Sequence, residues 1–179
     1  MERRYSMGRA RLAAVSAVLL SVFDGADAGQ RSSSSSMASQ FLAAHNEARR
    51  AVRVAPLAWD ESLAAYARRY AEERARTGCA LVHSHGGPYA QNLFRGSGGP
   101  GGWRPEQVVA AWVVPEKAMY DARSNTCRGA RGACGHYTQV VWRGTKAVGC
   151  AMAACAGGRG TYAVCAYNPP GNYVGVRPY

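Results

Sequence analysis

The sequence lacks a hydrophobic run long enough to cross a membrane. Its most apolar stretch, Leu12 to Phe23, falls short of the roughly 20 residues that a spanning helix needs. The chain also has no G-x-S-x-G motif to mark a hydrolase nucleophile and no C-x-x-C pair to mark a zinc knuckle. No Asn-x-Ser/Thr sequon is present, so N-glycosylation is not expected. These absences disfavour an integral membrane protein, a zinc-knuckle protein and a hydrolase of that type.

Acidic residues are scarce as well. The chain has 11 Asp and Glu against 22 Lys and Arg, which gives a net charge of +11. A positive charge of this size favours anionic partners, such as acidic polysaccharides or membrane surfaces. The arginines are scattered along the chain, however, and such a scatter is also typical of an ordinary solvated surface. Both interpretations stay open.

The N-terminus has the features of a secretory signal peptide. Four arginines accompany the apolar run, and Ala26-Asp27-Ala28 places small residues at the two positions that signal peptidase reads. We assign residues 1–28 to a signal peptide, with an uncleaved anchor or a disordered tail as the alternative. Five consecutive serines follow and offer nothing apolar to a core, so we predict a flexible leader at 29–38 and a folded domain at 39–179. Nucleic acid is a poor partner for a secreted chain.

All six cysteines lie in the predicted mature domain. An even number of cysteines in a secreted chain indicates three disulfides. Six cysteines allow 15 pairings, and their spacing alone does not choose among them. The cysteines are Cys79, Cys127, Cys134, Cys150, Cys155 and Cys165.

The first half of the domain shows two helical patterns. Ser39 is placed to cap a first helix, which Pro56 would interrupt. Asp60 is placed to cap a second helix with apolar positions on one face, and Gly78 suits its end. We therefore predict two helices between residues 39 and 78.

The second half mixes a helix with strands. Pro105 suits the first turn of a third helix, and Pro115 should end or kink it. Residues 80–83 are a short strand candidate, and residues 147–155 and 161–167 flank a glycine-rich turn and indicate a hairpin. Helices interspersed with short strands predict a layered α-β-α domain.

Several segments carry a specific resemblance. The runs AAHNEARRAV, PLAWDESLAAYARRYA and CGHYTQVVW resemble those of the CAP superfamily of cysteine-rich secretory, antigen 5 and pathogenesis-related proteins. The ending YNPPGNYVGVRPY resembles the plant pathogenesis-related class 1 branch. The resemblance covers residues 39–179. It implies an α+β fold, a three-layer α-β-α sandwich of the CAP type with three disulfides. The disulfides it implies are Cys79–Cys155, Cys127–Cys134 and Cys150–Cys165.

The resemblance also implies a cleft with four polar residues. By motif these are His83, Gln91, Glu116 and His136, where Gln91 replaces the glutamate that the family carries. His83, His136 and Glu116 could hold zinc, but an amide is a weak zinc ligand and cannot act as a base. The alternative is a polar cluster whose members simply hydrogen-bond one another. No cofactor is otherwise expected, no catalytic residue is assigned, and His45 is expected at the surface.

The functions implied by the resemblance fall into three classes. The first is a secreted, apoplastic and monomeric defence protein that acts against fungi or oomycetes by binding sterol or membrane lipid, with the segment 120–133 implicated. The second is a precursor from which residues 169–179 are released by cleavage between Asn168 and Pro169. The third, a metal-dependent hydrolase, is disfavoured because no nucleophile is paired with a base, so we expect the protein not to be an enzyme.

Overall fold

A computed structural model describes residues 27–98, 102–130 and 132–179. Most of the predicted signal peptide, residues 1–28, lies outside this part of the chain. Among the described residues, no helix is both long enough and apolar enough to cross a bilayer.

The described residues form four α-helices and six strands. In chain order they are α1 (Asp27–Ala51), β1 (Ala58–Trp59), α2 (Glu61–Arg76), β2 (Ala90–Gly96), α3 (Pro105–Met119), β3 (Tyr120–Asp121), β4 (Thr126–Cys127), α4 (Gly135–Val140), β5 (Ala147–Ala154) and β6 (Thr161–Asn168). The three predicted helices and the predicted C-terminal hairpin are all present.

Helix α1 begins earlier than the sequence pattern predicted. It starts at Asp27 instead of near Ser39, so the segment 29–38 is helical and is not the flexible leader that we expected. Serine is only moderately less favourable than alanine in a helix, and adding residues to an existing helix costs far less than nucleating one. A helix nucleated by the buried face around Phe41 can therefore extend through a serine run.

A four-stranded sheet forms the middle layer. Its strand order is β1-β5-β6-β2, with β1 parallel to β5 and the other neighbours antiparallel. Helix α2 packs on one face against β5 and β6, while α1 and α3 pack together over the other face. The α+β three-layer sandwich is confirmed.

Alternate residues of the hairpin strands supply the two halves of the core. Val148, Cys150 and Tyr167 face the side of α1 and α3, whereas Ala151 and Val164 face α2. This alternation follows from the two-residue period of a strand. Both faces are buried, so β5 and β6 are apolar almost throughout.

The three disulfides have the implied pairing. Cys79–Cys155 ties the end of α2 to the hairpin, Cys150–Cys165 joins directly paired residues of β5 and β6, and Cys127–Cys134 closes a loop ahead of α4. On the entropic model, closing the 76-residue separation of the first pair stabilises the fold by about 4 kcal/mol.

Pro115 does not end the third helix. Helix α3 continues through it to Met119. The proline removes one hydrogen bond to the carbonyl of Ala111, and both residues are exposed, so water can satisfy that carbonyl. The continued helix carries Glu116 toward α4.

Residues 80–83 do not form the predicted strand. The segment turns tightly, with Val82 N donating to Ala80 O, and side chains occupy its carbonyl groups: Tyr70 donates to Val82 O, and Arg74 and Tyr162 donate to Ala80 O. No sheet ladder is therefore needed to satisfy this backbone, and His83 is held at the surface beside β2.

Candidate functional site

Glu116 links α3 to the start of α4. Its Oε1 accepts a hydrogen bond from His136 Nδ1 at 2.6 Å, and its Oε2 accepts one from the backbone N–H of Tyr137 at 2.9 Å. The Glu116 side chain is largely buried. Both carboxylate oxygens are therefore engaged by protein donors.

Two contacts fix the orientation of the His136 ring. Its ring stacks on that of Trp112, with 6.0 Å between ring centroids and 17° between planes, and its Nδ1 is fixed by Glu116. Because the carboxylate accepts, Nδ1 carries the hydrogen. None of the described residues is hydrogen-bonded to Nε2, and His136 lines an open cleft. The ring therefore presents Nε2 to a ligand.

Gln91 lies on β2, on the opposite side of the cleft. Its Oε1 accepts a hydrogen bond from the backbone N–H of Ser84 at 3.0 Å, whereas its Nε2 is buried without a hydrogen-bond partner. A backbone N–H can only donate, so this bond decides which way the amide is oriented. Partial desolvation lowers the pKa of the neighbouring His83, opposed by its contact with Gln91 and assisted by the charge of His136.

The cleft itself has a volume of about 370 Å³ and a mainly polar wall. Three of the four predicted residues line it, and Glu116 stands behind His136. No carboxylate belongs to the described lining. The lining residues are His83, Ser84, Tyr89, Ala90, Gln91, Asn92, Gly132, Gly135, His136 and Asn172.

A buried polar chain runs from the cleft into the core. Asn92 donates to the backbone oxygen of His136 at 3.0 Å and to the hydroxyl of Tyr167 at 3.1 Å. That hydroxyl donates to His45 Nε2, since His45 Nδ1–H donates to the Phe41 carbonyl. His45 is fully buried, so the expected surface position was wrong. Burial lowers the pKa of His45 to about 4, despite its hydrogen bond to Phe41.

Arg49 is a further residue that sequence reasoning missed. It is fully buried, and its guanidinium donates to the carbonyl groups of Ala55, Val140, Trp142 and Thr145 at 2.7–3.1 Å. Desolvation lowers its pKa to about 10, which still leaves it charged at neutral pH. The spacing of four from Phe41 to His45 and on to Arg49 was the available signal, since it places all three on one helix face.

The C-terminal tail forms one rim of the cleft. Asn172 Nδ2 donates to Gly135 O at 2.8 Å, and Asn172 Oδ1 accepts from Thr138 at 2.8 Å. Arg143 N donates to Pro178 O at 2.7 Å farther along the tail. The tail thus closes over α4, and it roofs a second pocket of about 270 Å³ beside the segment 120–127.

Most of the exposed large hydrophobic side chains belong to two segments that also carry cleft residues. The described chain has six exposed large hydrophobic residues, and five of them lie within four residues of His83 or Asn172. The sixth, Val114, lies on α3. We call the five the rim residues: Leu81, Val82, Tyr173, Val174 and Val176.

Residues 42–167 match the model of the family described as "Cysteine-rich secretory protein family", CAP. The chain belongs to the CAP family. The residues that this match spans include the whole cleft apart from Asn172, as well as all six cysteines.

Plant relatives indicate which branch of the CAP family the chain is similar to. The chain is 51% identical over 146 residues to "Pathogenesis-related protein PR-1" of Medicago truncatula, covering 82% of this chain and 81% of the relative. It is 51% identical over 140 residues to "Pathogenesis-related protein 1A" of Nicotiana tabacum, covering 78% and 79%. These plant relatives support a role in defence, and the disulfides fit an extracellular CAP protein.

Solved structures agree with the CAP fold. "Crystal Structure of Na-ASP-1" matches with a TM-score of 0.67 at 25% identity, covering 80% of this chain and 41% of that one. "Crystal structure of NaASP2 with Zn2+" matches with a TM-score of 0.63 at 25% identity, covering 80% and 84%.

Because that neighbour holds zinc, we asked whether the residues of this CAP domain could also bind zinc. The possible metal ligands of the cleft do not fit a zinc site. Among the described residues, the only three-residue group of possible ligands within 4.8 Å of one another is His45, Cys150 and Cys165, whose sulfurs are joined in a disulfide. Both oxygens of Glu116 and the amide oxygen of Gln91 already accept hydrogen bonds. Two imidazoles alone do not make the three-ligand set of an open zinc site.

Proposed function

We propose that this CAP protein is a secreted defence protein that acts by contacting membrane lipid of fungi or oomycetes through the rim of the cleft. The supporting observation is that five of the six exposed large hydrophobic residues in the described part of the chain belong to the segments that carry His83 and Asn172. Exposed apolar patches on a soluble domain mark sites of protein or membrane contact. Val174 is 91% exposed, which a folded domain tolerates at a site that meets an apolar partner.

Arginines surround the tail half of the rim. Arg177 donates to the backbone oxygens of Ala122 and Arg123, so the tail and the segment 120–127 form one surface. Arg123 and Arg128 are exposed on the same segment. Each cation near an anionic bilayer contributes about 1 kcal/mol to attachment. Apolar side chains with flanking guanidinium groups are the composition that a bilayer surface binds.

The volume of the second pocket favours contact with a membrane surface over capture of a whole sterol. Ligand pockets that enclose a drug-sized molecule measure roughly 300–1,000 Å³. The pocket beneath the tail measures about 270 Å³, with Trp142, Tyr173 and Val176 among its walls. It can receive one end of a lipid or sterol while the rest stays in the bilayer. Sterol is therefore proposed as a component of the membrane that the rim meets.

Flotation with lipid vesicles tests this function. The mature protein should float with ergosterol-containing anionic vesicles, and the double variant Tyr173→Ser/Val174→Ser should bind at least about tenfold more weakly, because two apolar side chains no longer enter the bilayer. Val114→Ser is the matched control, since Val114 is 67% exposed but lies outside the rim. Equal binding of the double variant and the control would refute the rim as the contact.

A second function, release of residues 169–179, has one supporting observation. Asn168 and Pro169 are exposed, so a protease can reach the peptide bond between them. Mass spectrometry of extracellular fluid from stressed tissue tests it, and absence of the 169–179 fragment while the parent accumulates would contradict it.

Enzymatic activity is not part of the proposal. Ser84 is the hydroxyl residue of the cleft wall nearest in sequence to His83, and its Oγ is hydrogen-bonded to the Tyr66 hydroxyl at 2.7 Å and not to a histidine. A serine nucleophile needs a base within hydrogen-bond reach. The cleft is thus better suited to binding than to hydrolysis.

A further inference from the structure

The three disulfides differ in how far solvent can reach them. Cys127 is half-buried, whereas each of the other five cysteines is at most 4% exposed. Cys127 and its partner Cys134 also line the pocket of about 270 Å³ beneath the C-terminal tail. The other two disulfides are packed into the two halves of the core. Exposed disulfides are the ones that small thiols attack, so Cys127 is the accessible sulfur of this domain.

Guanidinium groups lie on the segment that carries Cys127. Arg123 and Arg128 are exposed there, and Arg177 joins them from the tail by donating to the backbone oxygen of Arg123 at 2.9 Å. The acidic residue of the segment 120–128 is Asp121, whose carboxylate accepts a hydrogen bond from the Arg123 N–H at 2.8 Å. Three guanidinium groups against one carboxylate attract an approaching anion.

A small acidic thiol matches both features. Its negative charge is attracted by the guanidinium groups, and its size allows its sulfur to reach the wall of the pocket. We propose that Cys127 is a site of thiol–disulfide exchange with an acidic thiol of low molecular weight, the class to which glutathione belongs. The inference is independent of the proposed membrane contact and of the release of residues 169–179.

The exchange is a substitution at sulfur. The thiolate of the small thiol attacks Cys127 Sγ, a new S–S bond forms, and the bond to Cys134 breaks. Cys134 leaves as a thiolate and takes up the proton that the attacking thiol had lost to water. A second small thiol then attacks the mixed disulfide and releases Cys127. One protein disulfide is reduced while two small thiols are oxidised to their disulfide, so no other oxidant or reductant is required.

Opening this disulfide loosens a wall that the cleft and the second pocket share. Gly132 and Gly135 line both cavities, and the disulfide ties the two ends of the segment 127–134. A disulfide that closes a short loop stabilises a fold less than one that closes a long loop. The two core disulfides remain, and Glu116 still accepts from the Tyr137 N–H to hold α4. We therefore expect the segment to become mobile while the domain stays folded.

Brief reaction of the mature protein with reduced glutathione tests the site. Samples quenched with acid at successive times are digested without reduction and mapped by mass spectrometry. The Cys127–Cys134 disulfide should open first, with glutathione on Cys127 and a free thiol on Cys134. Glutathione on Cys134, or a core disulfide that opens equally early, would overturn the proposal.

Two matched variants compare the sulfurs separately. Cys134→Ser leaves Cys127 as a free thiol, and Cys127→Ser leaves Cys134 free. With oxidised glutathione, the Cys134→Ser variant should form its mixed disulfide at least about tenfold faster, because Cys127 is accessible in a basic setting and Cys134 is 3% exposed. Circular dichroism checks that both variants are folded. Equal rates in two folded variants would contradict the selection of Cys127.

The charge of the thiol tests the proposed class of partner. Reduced glutathione has a net negative charge before its thiol ionises, whereas 2-mercaptoethanol has none. At equal thiolate concentrations, Arg128→Gln should slow the reaction with glutathione about threefold more than that with 2-mercaptoethanol, since one nearby cation is removed. Arg69→Gln is the control, because Arg69 is exposed on α2, away from this segment. An equal effect of Arg128→Gln on both thiols, or an equal effect of Arg69→Gln, would refute the preference for an acidic thiol.

Discussion

Glu116 holds His136 from a neighbouring helix, with 2.6 Å between Oε1 and Nδ1, although a proline directly precedes the glutamate. The carboxylate also anchors the first turn of α4 through the Tyr137 N–H. This arrangement fixes the ring that the cleft displays. It also leaves the carboxylate without a free oxygen, which matters for metal binding.

Zinc should bind this protein weakly. With Glu116 and the Gln91 oxygen both engaged, a metal would have to break hydrogen bonds to gain a third ligand. We expect isothermal titration at neutral pH to show no saturable binding at micromolar zinc, and Gln91→Glu to raise the affinity at least about tenfold by adding a carboxylate ligand. One-to-one micromolar binding by the native protein would show that the cleft rearranges around the metal.

Arg49→Lys should destabilise the fold. The guanidinium donates to four carbonyl groups at once, whereas an ammonium group has three donors at one point and cannot span them. We expect the free energy of unfolding to fall by about 2–4 kcal/mol, because buried carbonyl groups lose their partners. Urea denaturation measures the change. Arg50→Lys, at the exposed neighbouring position, should alter stability by less than about 0.5 kcal/mol; equal losses would show that Arg49 has no special role.

His45 should make the fold sensitive to acid. Burial lowers its pKa from 6.5 to about 4, so between these pH values the unfolded chain takes up a proton that the folded protein does not. The contribution of His45 to the free energy of unfolding is fully present above pH 6.5 and falls as the pH drops toward 4. The total loss from this residue is about 3 kcal/mol.

The variant His45→Gln isolates this contribution. Its stability relative to the native protein should improve by about that amount between pH 7 and pH 4, and other acid-sensitive groups such as Asp60 cancel in the difference. His85→Gln, at an exposed position, should show no such change. A constant difference between native protein and His45→Gln across this range would mean that His45 titrates normally.

The C-terminal segment should stay bound after cleavage. Hydrogen bonds hold it at both ends, from Gly171 N to Gln139 Oε1 at 3.0 Å and from Arg143 N to Pro178 O at 2.7 Å. If the chain is cut between Asn168 and Pro169, the 169–179 fragment should co-elute with the parent in native gel filtration and separate in urea. A fragment that dissociates freely in native buffer would contradict this and would favour direct release.

The local features of the fold could be predicted from the sequence. The turn between the hairpin strands, the cap at Asp60 and the start of α3 at Pro105 depend on a few neighbouring residues, and the structure contains them all. The pairing of the cysteines came from family resemblance, since their spacing admits 15 possibilities. His83, Gln91 and His136 were likewise found by motif.

What the sequence did not predict depends on tertiary contacts. Arg49 and His45 are polar types that occur mostly at surfaces, and their burial depends on carbonyl groups and a tyrosine hydroxyl contributed from more than 80 residues away. Helix α3 can continue through Pro115 because water can satisfy the exposed Ala111 carbonyl, which loses its helical hydrogen bond there. The rim is a juxtaposition of two distant segments, one near His83 and one near Asn172, that only the folded chain brings to one cleft.

The most direct test of the central claim is NMR with spin-labelled lipid in vesicles or bicelles. Paramagnetic lipid broadens the methyl signals of residues that enter the bilayer. We predict strong broadening for Val174, Val176 and Leu81, with the signals of Val114 retained. Uniform broadening of all exposed methyl groups, or broadening of Val114 alone, would contradict membrane contact through the rim of the cleft.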